Sequence, residues 1–102
     1  MTNAVGKAGD VTPGAMRAYA VDGKRVAIAN VAGTFYGFGD TCTHQGCSLA
    51  AGELDGTTVT CPCHGSQFDV TSGAVLEGPA EDPVPSWPVE VQGEDLIVHS
   101  PS

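Results

Sequence analysis

Two short windows of the sequence hold side chains that could bind metal. They contain all four cysteines and two of the three histidines, with 16 residues between His44 and Cys61. The windows read Cys42-Thr43-His44-Gln45-Gly46-Cys47 and Cys61-Pro62-Cys63-His64-Gly65-Ser66. Thiolates and imidazoles at such short spacings are typical of metal sites, so metal binding is the principal hypothesis. A structural disulfide framework is the alternative.

The spacing within each window indicates which side chains can converge on one point. Cys42 and His44 are two residues apart, which places them on the same side of an extended chain. Cys61 and His64 are three residues apart, a spacing that a tight loop can close. Four ligands of these two kinds would also suit a Cys₂His₂ zinc site, because softness alone does not distinguish zinc from iron here. The cysteines outside this set form a second matched pair, Cys47 and Cys63.

The ligand spacing resembles the signature of Rieske proteins, Cys-x-His and Cys-x-x-His, whose [2Fe–2S] cluster has two thiolates on one iron and two imidazoles on the other. The sequence Gly-Ser-Gln-Phe-Asp after His64 and the Gly-Pro-Ala segment at 78–80 are also similar to that family. The resemblance implies one Rieske-type cluster, with Cys42 and Cys61 on one iron and His44 and His64 on the other. A zinc site requires neither the extra cysteines nor this context.

The same resemblance implies roles for residues beside the ligands. In Rieske proteins of quinol-oxidising cytochrome bc complexes, the positions of Cys47 and Cys63 form a disulfide that ties the two cluster loops together. Many oxygenase ferredoxins lack this pair. The residues expected next to the ligands are Ser66, Gly46, Gly65 and Pro62.

Three positions divide the branches of the family. Ser66 matches a hydroxyl that donates to cluster sulfur in the bc branch, whereas Phe68 stands where that branch carries tyrosine. Gln45 stands where the bc branch usually has a leucine that meets quinol. The resemblance therefore implies one potential-raising donor rather than two, and it argues against quinol docking.

The resemblance implies an electron-transfer protein rather than an enzyme. The expected function is the ferredoxin component that passes single electrons from a flavin reductase to a ring-hydroxylating or related oxygenase. The alternative is a soluble domain or subunit of a larger respiratory or quinol-oxidising complex, and a structural zinc-binding module comes third. We expect a monomer whose partners are redox proteins.

Other titratable side chains have simpler interpretations. Asp40, Asp69 and Glu77 could be offered as acid or base groups, but turn or surface carboxylates are the expected reading. His99 stands alone at the end of the last predicted strand and is expected to be an ordinary histidine. No residue of the chain is therefore predicted to be catalytic.

The framework that positions these loops is expected to be all-β. A chain of 102 residues predicts one domain over residues 1–102, and Gly 14 and Pro 7 favour short strands joined by turns. The expected fold is the Rieske fold, an antiparallel β-sandwich or barrel with a loop-rich cluster-binding subdomain at about residues 40–78. Because no helix of ten residues or more is evident, a helical bundle is excluded.

Apolar alternation predicts the strands. Three of them form an opening antiparallel meander, with Asp22-Gly23 as a hairpin turn. The last two are expected to pair with that meander, after a proline-rich link at 78–85 that cannot form a helix or a central strand. The predicted strands are 16–21, 25–29, 35–38, 57–60, 67–70, 89–91 and 96–98.

The charge distribution excludes some partners. The net charge is -8, from 12 acidic and 4 basic residues, and no lysine or arginine follows Arg25. Nucleic acid needs a basic surface, so it is not expected as a partner. The acidic surface fits either simple solvation or docking to a basic protein. With no apolar run long enough to span a bilayer and no secretory signal pattern, the expected location is the cytoplasm.

Overall fold

A computed structural model describes residues 2–43, 46–63, 65–78 and 80–99, which form eleven strands and two single-turn 3₁₀ helices. The strands are β1 (Thr2–Lys7), β2 (Met16–Val21), β3 (Lys24–Val31), β4 (Thr34–Gly39), β5 (Glu53–Asp55), β6 (Thr58–Thr60), β7 (Gln67–Asp69), β8 (Val75–Glu77), β9 (Ser86–Trp87), β10 (Val89–Gln92) and β11 (Asp95–His99). The 3₁₀ helices are Ala8–Asp10 and Leu49–Ala51. No helix in the described part of the chain is long and apolar enough to cross a membrane.

The strands form three antiparallel sheets, which confirms the all-β prediction. The strand orders are β1-β11-β10, β2-β3-β4-β9 and β5-β6-β7-β8. The third sheet is inserted in the chain between β4 and β9, and the two cysteine-containing windows flank its first two strands. The loop-rich segment therefore has a small sheet of its own.

The opening meander is present as predicted. Val21 pairs with Lys24 across the turn, where Asp22 and Gly23 both have positive φ, 51° and 78°. Two successive positive φ values are typical of the type I′ turn, whose twist matches that of the flanking strands. The local sequence therefore determines this hairpin.

The pairing predicted for the last two strands was wrong. Strand β11 pairs with β10 on one side and with β1 on the other, in a sheet separate from the meander, which instead pairs with β9. Strand β1 escaped the sequence analysis because Val5 is its only large apolar side chain. Its pairing with β11 comes from the far end of the chain, and only the folded structure shows it.

Strand β3 contributes to two hydrophobic clusters, one on each side of its sheet. Ala27 and Ala29 belong to a cluster with Phe38 and Phe68 beneath the cysteine loops. Residues Val26 and Ile28 belong to the second cluster, against the terminal sheet. Side chains alternate across a strand, so this central strand holds the two halves of the core together. The members of the second cluster are Val11, Val21, Val26, Ile28, Trp87, Leu96 and Val98.

Two side chains fasten β1 to its neighbours. Lys7 Nζ lies 2.6 Å from Asp95 Oδ1, and this hydrogen bond raises the pKa of Lys7. Tyr19 covers Gly6, where an added Cβ would lie 3.1 Å from the ring. Because burial disfavours the phenolate, the pKa of Tyr19 is also raised. Both contacts lie in the sandwich, away from the cysteine loops.

Gly73 lies in the turn between β7 and β8 and contacts the proline-rich link, and its substitution tests that contact. Its φ is +83°, and a Cβ there would meet the carbonyl oxygen of Val84, whose N–H donates to Gly73 O at 2.9 Å. Gly14 has almost the same φ, +84°, with open space around it. We expect Gly14→Ala to lower the free energy of unfolding by about 1–2 kcal/mol, from left-handed backbone strain alone. Gly73→Ala should cost at least about 1 kcal/mol more, because overpacking adds to that strain.

Denaturant unfolding of both variants measures this difference. Equal losses of stability in Gly14→Ala and Gly73→Ala would show that the link does not press on the Gly73 turn.

Candidate metal centre

The first cysteine loop is closed by two backbone hydrogen bonds. The N–H of Cys42 donates to the carbonyl of Cys47 at 2.8 Å, and the N–H of Gly46 donates back to the carbonyl of Cys42 at 2.8 Å. Gly46 has φ +74°, a conformation that glycine adopts without a steric penalty. The glycine therefore allows the chain to turn back on itself directly after the segment that carries His44.

The second loop repeats this arrangement. The N–H of Cys61 donates to the carbonyl of Ser66 at 2.8 Å, and the N–H of Gly65, with φ +78°, donates to the carbonyl of Cys61 at 3.2 Å. Cys61 thus occupies the position in its loop that Cys42 occupies in the first. The two loops present equivalent cysteines, and the backbone hydrogen bonds agree with the pairing of Cys42 and Cys61 that the sequence predicts.

The two equivalent cysteines are buried. Cys42 and Cys61 are each 2% exposed and belong to the hydrophobic cluster that includes Leu49, Phe38 and Phe68. Neither takes part in a disulfide. These two buried cysteines at the base of the paired loops are the ones that the sequence analysis expects to supply the thiolates of the ligand set.

The other two cysteines join the loops covalently. Cys47 and Cys63 form a disulfide whose Cα atoms are 6.5 Å apart, and this is the pairing that the resemblance implied. The sulfurs of Cys47, Cys61 and Cys63 all lie within 4.8 Å of one another. The disulfide therefore lies directly beside one of the two buried cysteines.

Three residues singled out in the sequence lie outside the described part of the chain. They are His44, Gln45 and His64, so the imidazole half of the ligand set remains a prediction. The described neighbours Gly46, Pro62 and Gly65 are exposed at the loop tips. The paired loops thus lie at the surface, above the buried cysteines.

Ser66 has a hydroxyl group in an unusual position. The residue is fully buried, and its Oγ accepts a hydrogen bond from the N–H of Ala80 at 3.0 Å. Within the described ranges, no group accepts the hydroxyl proton of Ser66. A buried O–H that is fixed on its acceptor side still needs an acceptor for its proton. A sulfur acceptor next to the cysteine loops would supply one.

The proline-rich link runs beside both loops. It contacts the second loop through Ala80 and the first through Asp82, whose carbonyl accepts a 2.7 Å hydrogen bond from the hydroxyl of Thr43. Its end is held by Gly39, whose N–H donates to the carbonyl of Pro85 at 2.8 Å. The link therefore closes one side of the paired loops.

The expectation that Asp40 is a turn or surface carboxylate was wrong. Its side chain is fully buried, and its Oδ2 accepts from Ser48 Oγ at 2.7 Å and lies 3.1 Å from a guanidinium nitrogen of Arg25. Its Oδ1 accepts from the N–H of Ala50 at 2.8 Å. These bonds tie the end of β4 to the segment that follows Cys47. An acidic residue just before a metal-binding window was the available signal, but the sequence does not show what it contacts.

The remaining carboxylates and the third histidine agree with their expected roles. Asp69 Oδ1 accepts from the N–H and the hydroxyl of Thr71, which caps a turn. Glu77 is exposed. His99 Nε2 lies 3.1 Å from Glu90 Oε1 on the neighbouring strand, away from the cysteine loops.

Substitution of Asp40 tests its role in anchoring the first loop. Asp40→Asn keeps an acceptor for one bond but removes the charge that faces Arg25. We expect the free energy of unfolding to fall by about 2 kcal/mol, because hydrogen bonds to a charged group contribute about 1.5–3 kcal/mol each. Asp55→Asn, at an exposed position in β5, is the matched control and should change stability by less than about 0.5 kcal/mol. Equal stabilities of the two variants in urea would contradict the anchoring role.

Comparison with known proteins agrees with this geometry. Residues 1–88 match the Rieske [2Fe-2S] domain. Over 77 residues, the chain is 40% identical to the 3-phenylpropionate/cinnamic acid dioxygenase ferredoxin subunit of Escherichia coli K12. The aligned region covers 74% of this chain and 73% of that protein.

Solved structures of ferredoxins have the same fold. The ferredoxin of carbazole 1,9a-dioxygenase from Nocardioides aromaticivorans IC177 superposes with a TM-score of 0.93 at 28% identity, covering 97% of both chains. A complex of reduced oxygenase and oxidised ferredoxin in carbazole 1,9a-dioxygenase contains a chain with a TM-score of 0.89 and 35% identity, covering 96% of this chain and 92% of that one. Sequence and structure together show that the chain belongs to the Rieske [2Fe–2S] domain family.

Proposed function

We propose that this protein is a one-electron carrier, the ferredoxin component that takes electrons from a flavin reductase and delivers them to a ring-hydroxylating or related oxygenase. The observation that carries the proposal is the pair of equivalent loops, each presenting a buried cysteine in a chain 40% identical to a dioxygenase ferredoxin subunit. It acts as a carrier and not as an enzyme. We further propose that it acts as a single domain and a monomer, which light scattering can check.

The residues present fit a Rieske cluster. Cys42 and Cys61 would hold one iron, and His44 and His64 the other. The two cysteines lie among apolar side chains. The hydroxyl of the buried Ser66 accepts one hydrogen bond and has its proton left to donate to another. When bound, the cluster supplies a centre that gains and loses one electron. One such cluster uses all four ligands, so we propose one cluster per chain.

The chain itself contributes position, polarity and shielding. The two loop-closing hydrogen bonds fix Cys42 and Cys61, and the disulfide between Cys47 and Cys63 prevents the loops from separating. Leu49 and the two buried phenylalanines keep water from the inner side. A site held so rigidly changes little between oxidation states, which favours rapid electron transfer.

The charge around the loops favours a partner with a basic docking surface. Glu53 lies in the same surface cleft as Cys61 and Pro62. Asp82 lies beside the first loop, where its backbone carbonyl accepts a hydrogen bond from the hydroxyl of Thr43. No lysine or arginine follows Arg25 in the sequence, so positive charge is confined to the first quarter of the chain. Opposite charges on two proteins speed their encounter.

Stopped-flow transfer tests the function. The reduced protein, mixed with an oxygenase component, should lose its electron at a rate that depends on protein concentration and falls with added salt. A reductase should reload it in the same medium. A protein that exchanges electrons with neither component would contradict the proposal. We also propose that the protein is cytoplasmic, where a flavin reductase would supply its electrons. Cell fractionation checks this location.

One observation favours a second candidate. The disulfide between Cys47 and Cys63 is the feature that resembles the Rieske proteins of quinol-oxidising complexes. Oxidation of a quinol by the isolated protein, with no transfer to an oxygenase, would favour a domain of such a complex.

Exchange of a histidine ligand tests the mixed ligation. Two neutral imidazoles leave the oxidised cluster without net charge, so His44→Cys or His64→Cys adds one negative charge and should lower the reduction potential if the cluster survives. His99→Gln, on the distant strand β11, is the control and should leave the potential and the spectrum unchanged. Unchanged spectra in both ligand variants would show that histidine does not bind the iron. About one zinc per chain, with no iron or acid-labile sulfide, would also end this assignment.

Substitution of Ser66 tests the hydroxyl donor. A hydrogen bond to cluster sulfur stabilises the reduced state, so Ser66→Ala should lower the potential by tens of millivolts, where about 59 mV corresponds to 1.4 kcal/mol for one electron. Phe68→Tyr should raise it by a similar amount, because it adds the hydroxyl that the bc branch carries. Voltammetry of the intact cluster measures both changes. If Ser66→Ala leaves the reduction potential unchanged, the Ser66 hydroxyl serves only to accept the hydrogen bond from the Ala80 N–H.

A further inference from the structure

We propose that opening the disulfide creates a second metal site, formed by the thiolates of Cys47, Cys61 and Cys63. It would bind a soft divalent ion such as Zn²⁺ or Cd²⁺ in the chain that has no cluster. This site differs from the Rieske ligand set, which uses Cys42, Cys61 and the two histidines. The proposal does not depend on electron transfer to a partner.

The sulfur positions carry the proposal. The three sulfurs lie within 4.8 Å of one another in the folded chain. Zinc–sulfur bonds of about 2.3 Å place the thiolates of a tetrahedral site about 3.8 Å apart. Two of the sulfurs are held closer than this by their covalent bond, and reduction removes that restraint. Because the backbone already brings all three together, a small side-chain adjustment would complete the site.

The three residues range from buried to exposed, and this difference gives the ion a path into the site. Cys61 is buried, Cys47 is half-buried and Cys63 is exposed. Beside them lies a surface cleft of about 420 Å³ that Cys61 and Pro62 help to line. An ion could therefore reach the buried thiolate from the exposed one, and water could fill the fourth position of a tetrahedral ion.

The chemistry balances with a dithiol reductant. The reductant gives two electrons and two protons to the bond between Cys47 and Cys63, and it leaves as its own disulfide. The metal ion then displaces the thiol protons of all three cysteines. Since Cys61 is shared with the proposed Rieske ligand set, metal at this site and the cluster exclude each other.

Cadmium titration of the full-length, cluster-free chain tests the site. The probe is Cd²⁺ alone, followed by thiolate-to-cadmium absorption, with the chain either oxidised or reduced by a dithiol that is removed before titration. The variant Cys42→Ser destroys the Rieske set but keeps all three proposed ligands. We expect the reduced Cys42→Ser chain to bind one Cd²⁺ at least about 100-fold more tightly than its oxidised form, since each thiolate supplies a large share of the binding free energy.

The matched variant adds Cys47→Ser to Cys42→Ser, so the Rieske set is already destroyed and one proposed ligand is removed. Its reduced form should bind Cd²⁺ at least about 100-fold more weakly than reduced Cys42→Ser. Equal binding by these two reduced chains would show that Cys47 is not a ligand and overturn the proposal. Equal binding by oxidised and reduced Cys42→Ser would overturn it as well.

Circular dichroism of each reduced chain accompanies the titration. The β-sheet signal should persist, because the sheets do not include the disulfide. If reduction alone unfolds the chain, the folded three-thiolate site does not exist and the proposal fails.

Discussion

Two cysteines from separate loops, Cys42 and Cys61, lie in the same buried hydrophobic cluster, and the contacts around the loops serve to keep them there. Each of the two cysteines begins a loop closed by the same pair of backbone hydrogen bonds. A glycine with positive φ closes each loop, so the turn stores little strain. The loops could still move apart, and the contacts around them prevent this.

Three kinds of contact hold the loops in place, and each resists a different motion. The disulfide joins one loop to the other, and the carboxylate of Asp40 ties the first loop to the end of β4. The link at 78–85 touches both loops through hydrogen bonds and rests on the Gly73 turn. A buried carboxylate is costly unless it is paired, and Asp40 meets this condition with three partners. Loss of any one contact would loosen the site without removing a ligand.

The core links this site to the sandwich. The alternating side chains of β3 lie in both hydrophobic clusters, so the paired loops rest on the same strand that supports the terminal sheet. All four basic residues lie in the first quarter of the chain, and one of them, Arg25, pairs with the buried Asp40 just before the first loop.

The two cysteine windows, the β character, the Asp22-Gly23 hairpin and the family resemblance could all be predicted from the sequence, because they depend on residues that are close together in the chain. The sequence did not determine that β11 pairs with β1, since pairing between the two ends of a chain has no local signal. Nor did it show that Asp40 is buried or that Ala80 fixes Ser66. Those facts depend on which groups the folded backbone brings within hydrogen-bond distance, and residues far apart in the chain give no local sign of such contacts.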